Sequence, residues 1–204
     1  MGGIVINGAA AAAGPELQGR DAAADPVRRV PRQRGNTRFR ELEELIRILE
    51  ERSVTPVFQP ILAFGTGEIL AYEGLIRGPE DSQLHTPTKL FDAATHAGFL
   101  TELNMLCARK VVRQFARLGL NRQLFLNVTP QTVLEVKDDV QRITRFIRDC
   151  GLDIEQVTIE LTENQYISDR SIFRQALMLF RGAGFRVALD DLGGRPADVA
   201  VGAA

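Results

Sequence analysis

The feature that most constrains the fold is an alternation of short apolar segments with longer amphipathic ones in the second half of the chain. Strands are predicted over Gln123–Val128, Gln156–Leu161 and Phe185–Leu189, and helices over Pro130–Cys150 and Ser168–Arg181. Buried strands that alternate with helices of this length form βαβ units, in which consecutive strands lie parallel. The sequence therefore predicts an α/β protein with a parallel sheet.

The preceding part of the chain predicts an antiparallel pair. Val54–Ala63 and Glu68–Ile76 have the composition of strands, and Gly65-Thr66-Gly67 between them is typical of a hairpin turn. Helical patterns surround this pair: one helix is capped by Asn36 or Thr37 and runs to Leu49, and two more cover Leu90–Gly98 and Glu102–Leu118.

Composition excludes several classes of protein. The 204 residues include 25 basic and 26 acidic side chains, a net charge of −1, so the basic excess of a DNA-binding protein is missing. No apolar run reaches the roughly 20 residues of a membrane span. Two cysteines form no disulfide framework, which favours a cytoplasmic location. Residues 1–36, rich in Ala, Gly, Arg and Pro, are predicted to be a disordered tail.

Side chains with oxygen ligands stand inside or at the end of four predicted strands: Glu73, Asn127, Glu160 (with Glu163 three residues later) and the pair Asp190 and Asp191. The carboxyl ends of parallel strands meet at one edge of a sheet, where sites are built. Oxygen ligands suit Mg²⁺ or Mn²⁺. If these residues converge, adjacent aspartates allow two metals to share a carboxylate, an arrangement that cleaves phosphodiesters.

Each of these residues also has a simpler interpretation. An Asp or Asn after a strand often caps the next helix or begins a turn. The segment from Asn127 to Pro130 is especially ambiguous, because Thr129 followed by Pro130 is itself the signature of a helix cap and first turn. Arg77, four residues after Glu73, is available to bind phosphate, or is a solvated arginine at a strand end.

At these residues the chain resembles the EAL family of cyclic di-GMP phosphodiesterases, whose Glu-Ala-Leu motif corresponds here to Glu73-Gly74-Leu75. Five blocks follow one another in the family's order: Phe58-Gln59-Pro60-Ile61, Glu73 to Arg77, Leu126-Asn127-Val128-Thr129, Ile159 to Glu163, and Leu189 to Gly193. The resemblance covers residues 37–193, which are predicted to be a partial EAL domain, whereas 194–204 form a C-terminal segment that does not match.

The resemblance implies a (β/α)₈ TIM-barrel variant whose first strand is antiparallel, and hydrolysis of cyclic di-GMP to the linear dinucleotide with Mg²⁺ or Mn²⁺. It implies these roles: Glu73, Asn127, Glu160 and Asp190 hold the first metal; Asp190 and Asp191 reach a second, which makes Asp191 catalytic; Gln59 and Arg77 contact the ligand; Glu163 fixes the loop that completes the catalytic site. It also implies a homodimer and a functional link to diguanylate cyclase (GGDEF) or sensor domains.

The family has three further strands, carrying a Lys, a Glu and a Gln, after the block that contains Asp191. The chain is therefore expected to contain only the first five strands of the barrel, to be truncated at its C-terminus, and to have little or no phosphodiesterase activity alone. The alternatives are a non-catalytic cyclic di-GMP receptor or interaction module, a gene fragment, and a different phosphate-handling barrel enzyme.

Overall fold

The computed structural model describes residues 33–162 and 170–190. The helices are α1 (Gln33–Glu51), α2 (Pro87–Ala97), α3 (Leu100–Arg117), α4 (Pro130–Glu135), α5 (Val140–Asp149) and α6 (Arg170–Gly182). The strands are β1 (Thr55–Leu62), β2 (Ile69–Arg77), β3 (Gln123–Val128), β4 (Val157–Thr162) and β5 (Arg186–Asp190). Residues 1–32 of the predicted tail, Glu163, Asp191 and the segment 194–204 lie outside these described residues.

The strands form one five-stranded sheet in the order β1-β2-β3-β4-β5. The first two pair antiparallel, and the remaining neighbours pair parallel. Gly65 and Gly67 in the connecting turn have φ angles of 99° and 71°, which glycine adopts without strain. The predicted α/β class, the parallel strands and the hairpin are therefore confirmed.

The sheet packs against helices on the face that carries the even-numbered residues of β2. The rings of Phe58 in β1 and Tyr72 in β2 lie 5.7 and 6.1 Å from the ring of Phe115 in α3. Gly74 faces the same helix so closely that a Cβ there would overlap the side chain of Val111. Leu126 and Ile159 continue this buried face across β3 and β4. On the opposite face Ala71 and Thr158 are buried, but Glu73, Asn127 and Glu160 are only partly covered. That face holds the predicted site.

Two helix predictions were wrong in their extent. The first helix begins at Gln33, so Asn36 and Thr37 lie within it and do not cap it. The helix predicted over Pro130–Cys150 is two helices, separated by Val136 with φ −100° and a 3₁₀ turn over Lys137–Asp139. β-branched and Asp residues are poor helix formers, which weakens the helix at this point.

Among the described residues, none of the helices combines the length and the apolar character needed to span a bilayer.

Candidate functional site

The backbone register brings predicted site residues together on the face of the sheet opposite α3. Gln59 in β1 is the antiparallel partner of Glu73 in β2. Glu73 pairs with Phe125 of β3, two residues before Asn127, and Asn127 is in turn the partner of Glu160 in β4. Residues two apart on a strand project from the same face. Gln59, Glu73, Asn127 and Glu160 therefore share one surface.

Glu73 and Asn127 are in direct contact. The Asn127 Nδ2 atom donates a hydrogen bond of 2.7 Å to Glu73 Oε1, and both side chains are half-buried. A hydrogen bond to an ionised carboxylate is stronger than one between neutral groups, and it fixes the orientation of the carboxylate. The second Glu73 oxygen is left for a further partner, which a metal ion could provide.

The capping alternative for Asn127 is wrong, because Thr129 performs that function. The Thr129 hydroxyl accepts a hydrogen bond of 3.2 Å from the Thr132 amide at the start of α4, with Pro130 in the first turn. Asn127 thus lies in β3 proper, one position before the strand ends, with its side chain committed to Glu73.

Glu160 and the backbone of Asp190 lie further along the same edge. Glu160 is half-buried beside Asn127 in the ladder. Asp190 is the last residue of β5, and its backbone pairs with Thr162, two positions beyond the pair formed by Glu160 and Ala188. This register places Asp190 at the carboxyl edge of the sheet, whereas Glu163 and Asp191 lie outside the described residues.

Arg77 ends β2 on the same face as Glu73, because the two residues are four positions apart on one strand. Its Nη1 atom donates a 2.8 Å hydrogen bond to the backbone carbonyl of Ile76, so the guanidinium is folded back along its own strand. A guanidinium has further N–H donors in a planar fork, and this geometry matches phosphate oxygens. Gln59 is exposed to solvent.

The donors gathered here are carboxylate and amide oxygens. Among the side chains that the structure describes, no three His, Cys, Asp or Glu groups are close enough to form a metal cluster. The possible metal ligands described at this edge are two carboxylates, Glu73 and Glu160, and the Asn127 amide. Its chemistry fits a hard divalent cation such as Mg²⁺ or Mn²⁺, which takes several oxygen ligands and retains water molecules.

One buried polar residue escaped the sequence reasoning. Asn104 lies in the apolar stripe of α3 with 2% of its surface exposed, and its Oδ1 atom has no hydrogen-bond partner among the described residues. The available signal was a polar residue between Leu103 and Cys107 at helical spacing, a position that is usually apolar. The first half of α3 therefore contains a buried polar group that the candidate site does not use.

The fold and the site define an α/β domain with a mostly parallel sheet and with the candidate site residues at the carboxyl edge of that sheet. More narrowly, the chain belongs to the EAL domain family, whose model matches residues 40–200.

Individual relatives agree with this assignment. The chain is 24% identical over 148 residues to the probable cyclic di-GMP phosphodiesterase PdeB of Escherichia coli, an alignment that covers 71% of this chain and 28% of PdeB. It is 26% identical over 138 residues to the blue light- and temperature-regulated antirepressor BluF of Escherichia coli, covering 67% of this chain and 33% of BluF. The chain thus spans about a third or less of the length of these two relatives.

Solved structures show the same fold. The calcium and cyclic di-GMP complex of Klebsiella pneumoniae BlrP1 superposes with a TM-score of 0.64 at 26% identity, covering 72% of this chain and 36% of BlrP1. The FimX EAL domain of Xanthomonas citri, in complex with cyclic di-GMP, gives a TM-score of 0.65 at 16% identity, with 76% and 61% of the two chains covered. The expected EAL-type, TIM-barrel-like fold is confirmed.

Proposed function

We propose that this chain acts on cyclic di-GMP as an EAL-type phosphodiesterase domain. The single observation that carries the proposal is the arrangement of Glu73, Asn127 and Glu160 on one face at the carboxyl edge of an EAL sheet, with Glu73 hydrogen-bonded to Asn127. The solved relatives named above hold cyclic di-GMP, one of them together with calcium.

Each described residue has a defined task in this proposal. Glu73, Asn127 and Glu160 hold a divalent cation together with Asp190, and the contact between Glu73 and Asn127 keeps the donors in place before the ion arrives. Mg²⁺ or Mn²⁺, when bound, supplies a Lewis acid and a water of lowered pKa. Arg77 and Gln59 bind the dinucleotide on the same face, with the Arg77 guanidinium against a phosphate.

Two residues outside the described part complete the proposed site. Asp191 follows Asp190 directly and provides the carboxylate for a second cation, and Glu163 fixes the loop after β4. The reaction is hydrolysis of one phosphodiester bond: water adds to phosphorus, the ribose oxygen leaves, and the cyclic dinucleotide becomes linear.

A cyclic di-GMP receptor without catalysis is the second candidate. It is favoured by the similarity to an antirepressor, a relative whose name describes control of another protein. A receptor needs the ligand-binding residues Gln59 and Arg77, but not the residues that activate water.

One pair of measurements separates these functions. Calorimetry of the full chain with cyclic di-GMP, in Mn²⁺ and then in EDTA, measures binding, and chromatography of the same mixture detects the linear dinucleotide. Metal-dependent binding with product supports the enzyme, and binding without product supports the receptor. Absence of both binding and product would contradict the proposal.

Variants tie the result to the site. Glu73→Gln removes a predicted metal ligand and is expected to weaken Mn²⁺ binding by at least about tenfold. Glu68→Gln is the matched control, because Glu68 is an exposed residue of the hairpin loop, outside the candidate site. Equal losses in the two variants would show that the effect is unrelated to the carboxyl edge.

A further inference from the structure

A cavity of about 230 Å³ lies on the helix side of the sheet, away from the candidate site. Its walls come from α3, α5 and α6, including Ala108, Phe146 and Phe180, and its floor comes from Leu126 and Ile159. Since a cavity of about 150 Å³ is enough to hold benzene, this one has room for a longer apolar group. The walls and floor named here are apolar, so an apolar occupant is favoured over water.

The cavity also contains a buried polar atom that lacks a partner. Asn104 lines it, is 2% exposed, and has an Oδ1 atom with no hydrogen-bond partner among the described residues. An unpaired buried acceptor destabilises the fold, and an occupant that donates a hydrogen bond removes that penalty. The occupant therefore carries a hydroxyl or a similar donor in addition to its apolar part.

The mouth of the cavity is positively charged. Three of its lining residues, Arg109, Arg113 and Arg142, are exposed, so the cavity reaches solvent where they stand. The Arg113 guanidinium lies 5.2 Å from the ring centre of Phe146 and closes one side. Within the described part of the chain, Arg109 has no ion pair, and Arg142 has only an exposed contact of 3.4 Å to Asp139. Exposed contacts of this kind are weak, so both guanidinium groups can bind an anion.

We infer that this cavity binds an anionic amphiphile, namely a medium-chain carboxylate that bears a hydroxyl near its head. The apolar chain fills the space between Ala108, Phe146 and Phe180, the hydroxyl donates to Asn104 Oδ1, and the carboxylate meets Arg109 and Arg142. Asn104 and Arg109 are five residues apart on α3, about 7.5 Å along the helix. The reach of an arginine side chain makes this separation compatible with a head that carries both groups.

The test is calorimetry of the full chain with three ten-carbon probes below their micelle concentrations: 3-hydroxydecanoate, decanoate and decylammonium. We expect 3-hydroxydecanoate to bind, decanoate to bind about three- to tenfold more weakly because it cannot donate to Asn104, and decylammonium to bind at least about tenfold more weakly because its charge is opposed. Absence of 3-hydroxydecanoate binding at about millimolar concentration, or equal binding of decylammonium, would overturn the inference.

Variants locate the binding. The double substitution Arg109→Gln with Arg142→Gln changes exposed side chains, leaves the core intact, and is expected to weaken 3-hydroxydecanoate binding at least about tenfold. Arg117→Gln is the control on α3, since Arg117 is exposed but does not line the cavity. A loss of the same size in the control would overturn the inference.

The interior of the cavity is tested separately. Asn104→Leu keeps the volume and removes the acceptor, so 3-hydroxydecanoate and decanoate should bind equally; a preserved preference for the hydroxyl would contradict the assignment to Asn104. Ala108→Phe fills the cavity, so this variant should not bind 3-hydroxydecanoate, provided that circular dichroism shows it to be folded. If the variant is unfolded, the arginine variants decide whether the cavity is the binding site. Glu73→Gln should bind 3-hydroxydecanoate like the wild type, so this inference and the proposed function fail independently.

Discussion

At the scale of single residues, Asn127 of β3 connects the two neighbouring strands that carry Glu73 and Glu160. Its amide donates to Glu73 in β2, while its backbone pairs with Glu160 in β4. An amide suits this position in the absence of a metal, because it donates a hydrogen bond to the Glu73 carboxylate without adding charge. When a cation is present, the amide oxygen is a suitable ligand. The same residue therefore stabilises the site in both conditions.

Asn127→Asp should destabilise the metal-free protein. The substitution replaces a donor at 2.7 Å from Glu73 by a second carboxylate, and like charges at this distance oppose each other's ionisation. We expect a loss of about 1–3 kcal/mol in the free energy of unfolding at neutral pH, measured by urea denaturation in EDTA.

Addition of Mn²⁺ should reverse this loss, since an ion that binds only the folded state stabilises it. Asn121→Asp, on an exposed residue before β3, is the matched control and should change stability little. A variant as stable as the wild type in EDTA would contradict the contact between Asn127 and Glu73.

The two cysteines should differ in reactivity. Burial raises the pKa of the Cys107 thiol to about 12. Burial also raises the pKa of Cys150, partly opposed by the nearby Arg113 guanidinium, but Cys150 is half-exposed. The thiolate is the reactive form. At pH 8 a thiol with the pKa of Cys107 is ionised in a fraction of only about 10⁻⁴ of molecules. Iodoacetamide should therefore label Cys150 first in the native protein, as read by mass spectrometry.

Raising the pH from 7 to 9 should speed the labelling of Cys150, whose thiolate fraction grows with pH. Cys107 should label only as fast as the protein opens, and both residues should react quickly in urea. Rapid labelling of native Cys107 would contradict its place in the core beside α3's other buried residues.

At the scale of helices and strands, the sequence predicted what depends on local pattern. β3 has the predicted bounds Gln123–Val128, because its apolar run ends sharply on both sides. The break between α4 and α5 was missed, since the 3₁₀ turn over Lys137–Asp139 interrupts an apolar pattern that continues beyond it. The same limit applies to Arg77. Strand alternation places it on the same face as Glu73, but its bond to Ile76 depends on a side-chain conformation that no periodicity encodes.

Gly74 shows how closely β2 and α3 approach. A Cβ at this position would overlap Val111 Cγ1, and the β-branched valine has little rotamer freedom in a helix. Gly74→Ala, which restores the Glu-Ala-Leu motif, should therefore destabilise the chain by about 1–3 kcal/mol in denaturant unfolding.

A second substitution tests this cause. Val111→Ala alone should destabilise by leaving space in the core, but combined with Gly74→Ala it should cost less than the sum of the two single changes. Gly182→Ala is the control, because a Cβ at this end of α6 meets no atom within 4 Å. Additive losses in the double variant would rule out the overlap with Val111.

At the scale of the whole molecule, topology and register together explain why the candidate site could be anticipated. Parallel strands bring their carboxyl ends to one edge, so the residues there converge without any knowledge of side-chain packing. The cavity beneath Asn104 could not be anticipated in this way. It depends on the separation of α3 and α5, which is set by contacts such as the one between Arg113 and Phe146.

The same topology predicts a gradient of stability across the described sheet. β3 lies at its centre, with β2 and β4 hydrogen-bonded on either side and α3 packed above. The hairpin between β1 and β2 has no such cover: Phe64 in its turn is 108% exposed, and the neighbouring Leu62 and Leu70 are also exposed. Because elements with few buried contacts open most easily, hydrogen exchange followed by mass spectrometry should find fast exchange at this hairpin and the slowest exchange in β3.

Leu126→Ala, in the core of β3, should accelerate exchange throughout the sheet, because loss of buried volume lowers the free energy of global unfolding by about 2–5 kcal/mol. Phe64→Ser should leave exchange in β3 unchanged, since the Phe64 side chain lies in solvent. If the hairpin exchanged as slowly as β3, and more slowly still at higher protein concentration, its apolar residues would have to be covered by another copy of the chain. That outcome would replace the gradient described here with the homodimer that the family resemblance implies.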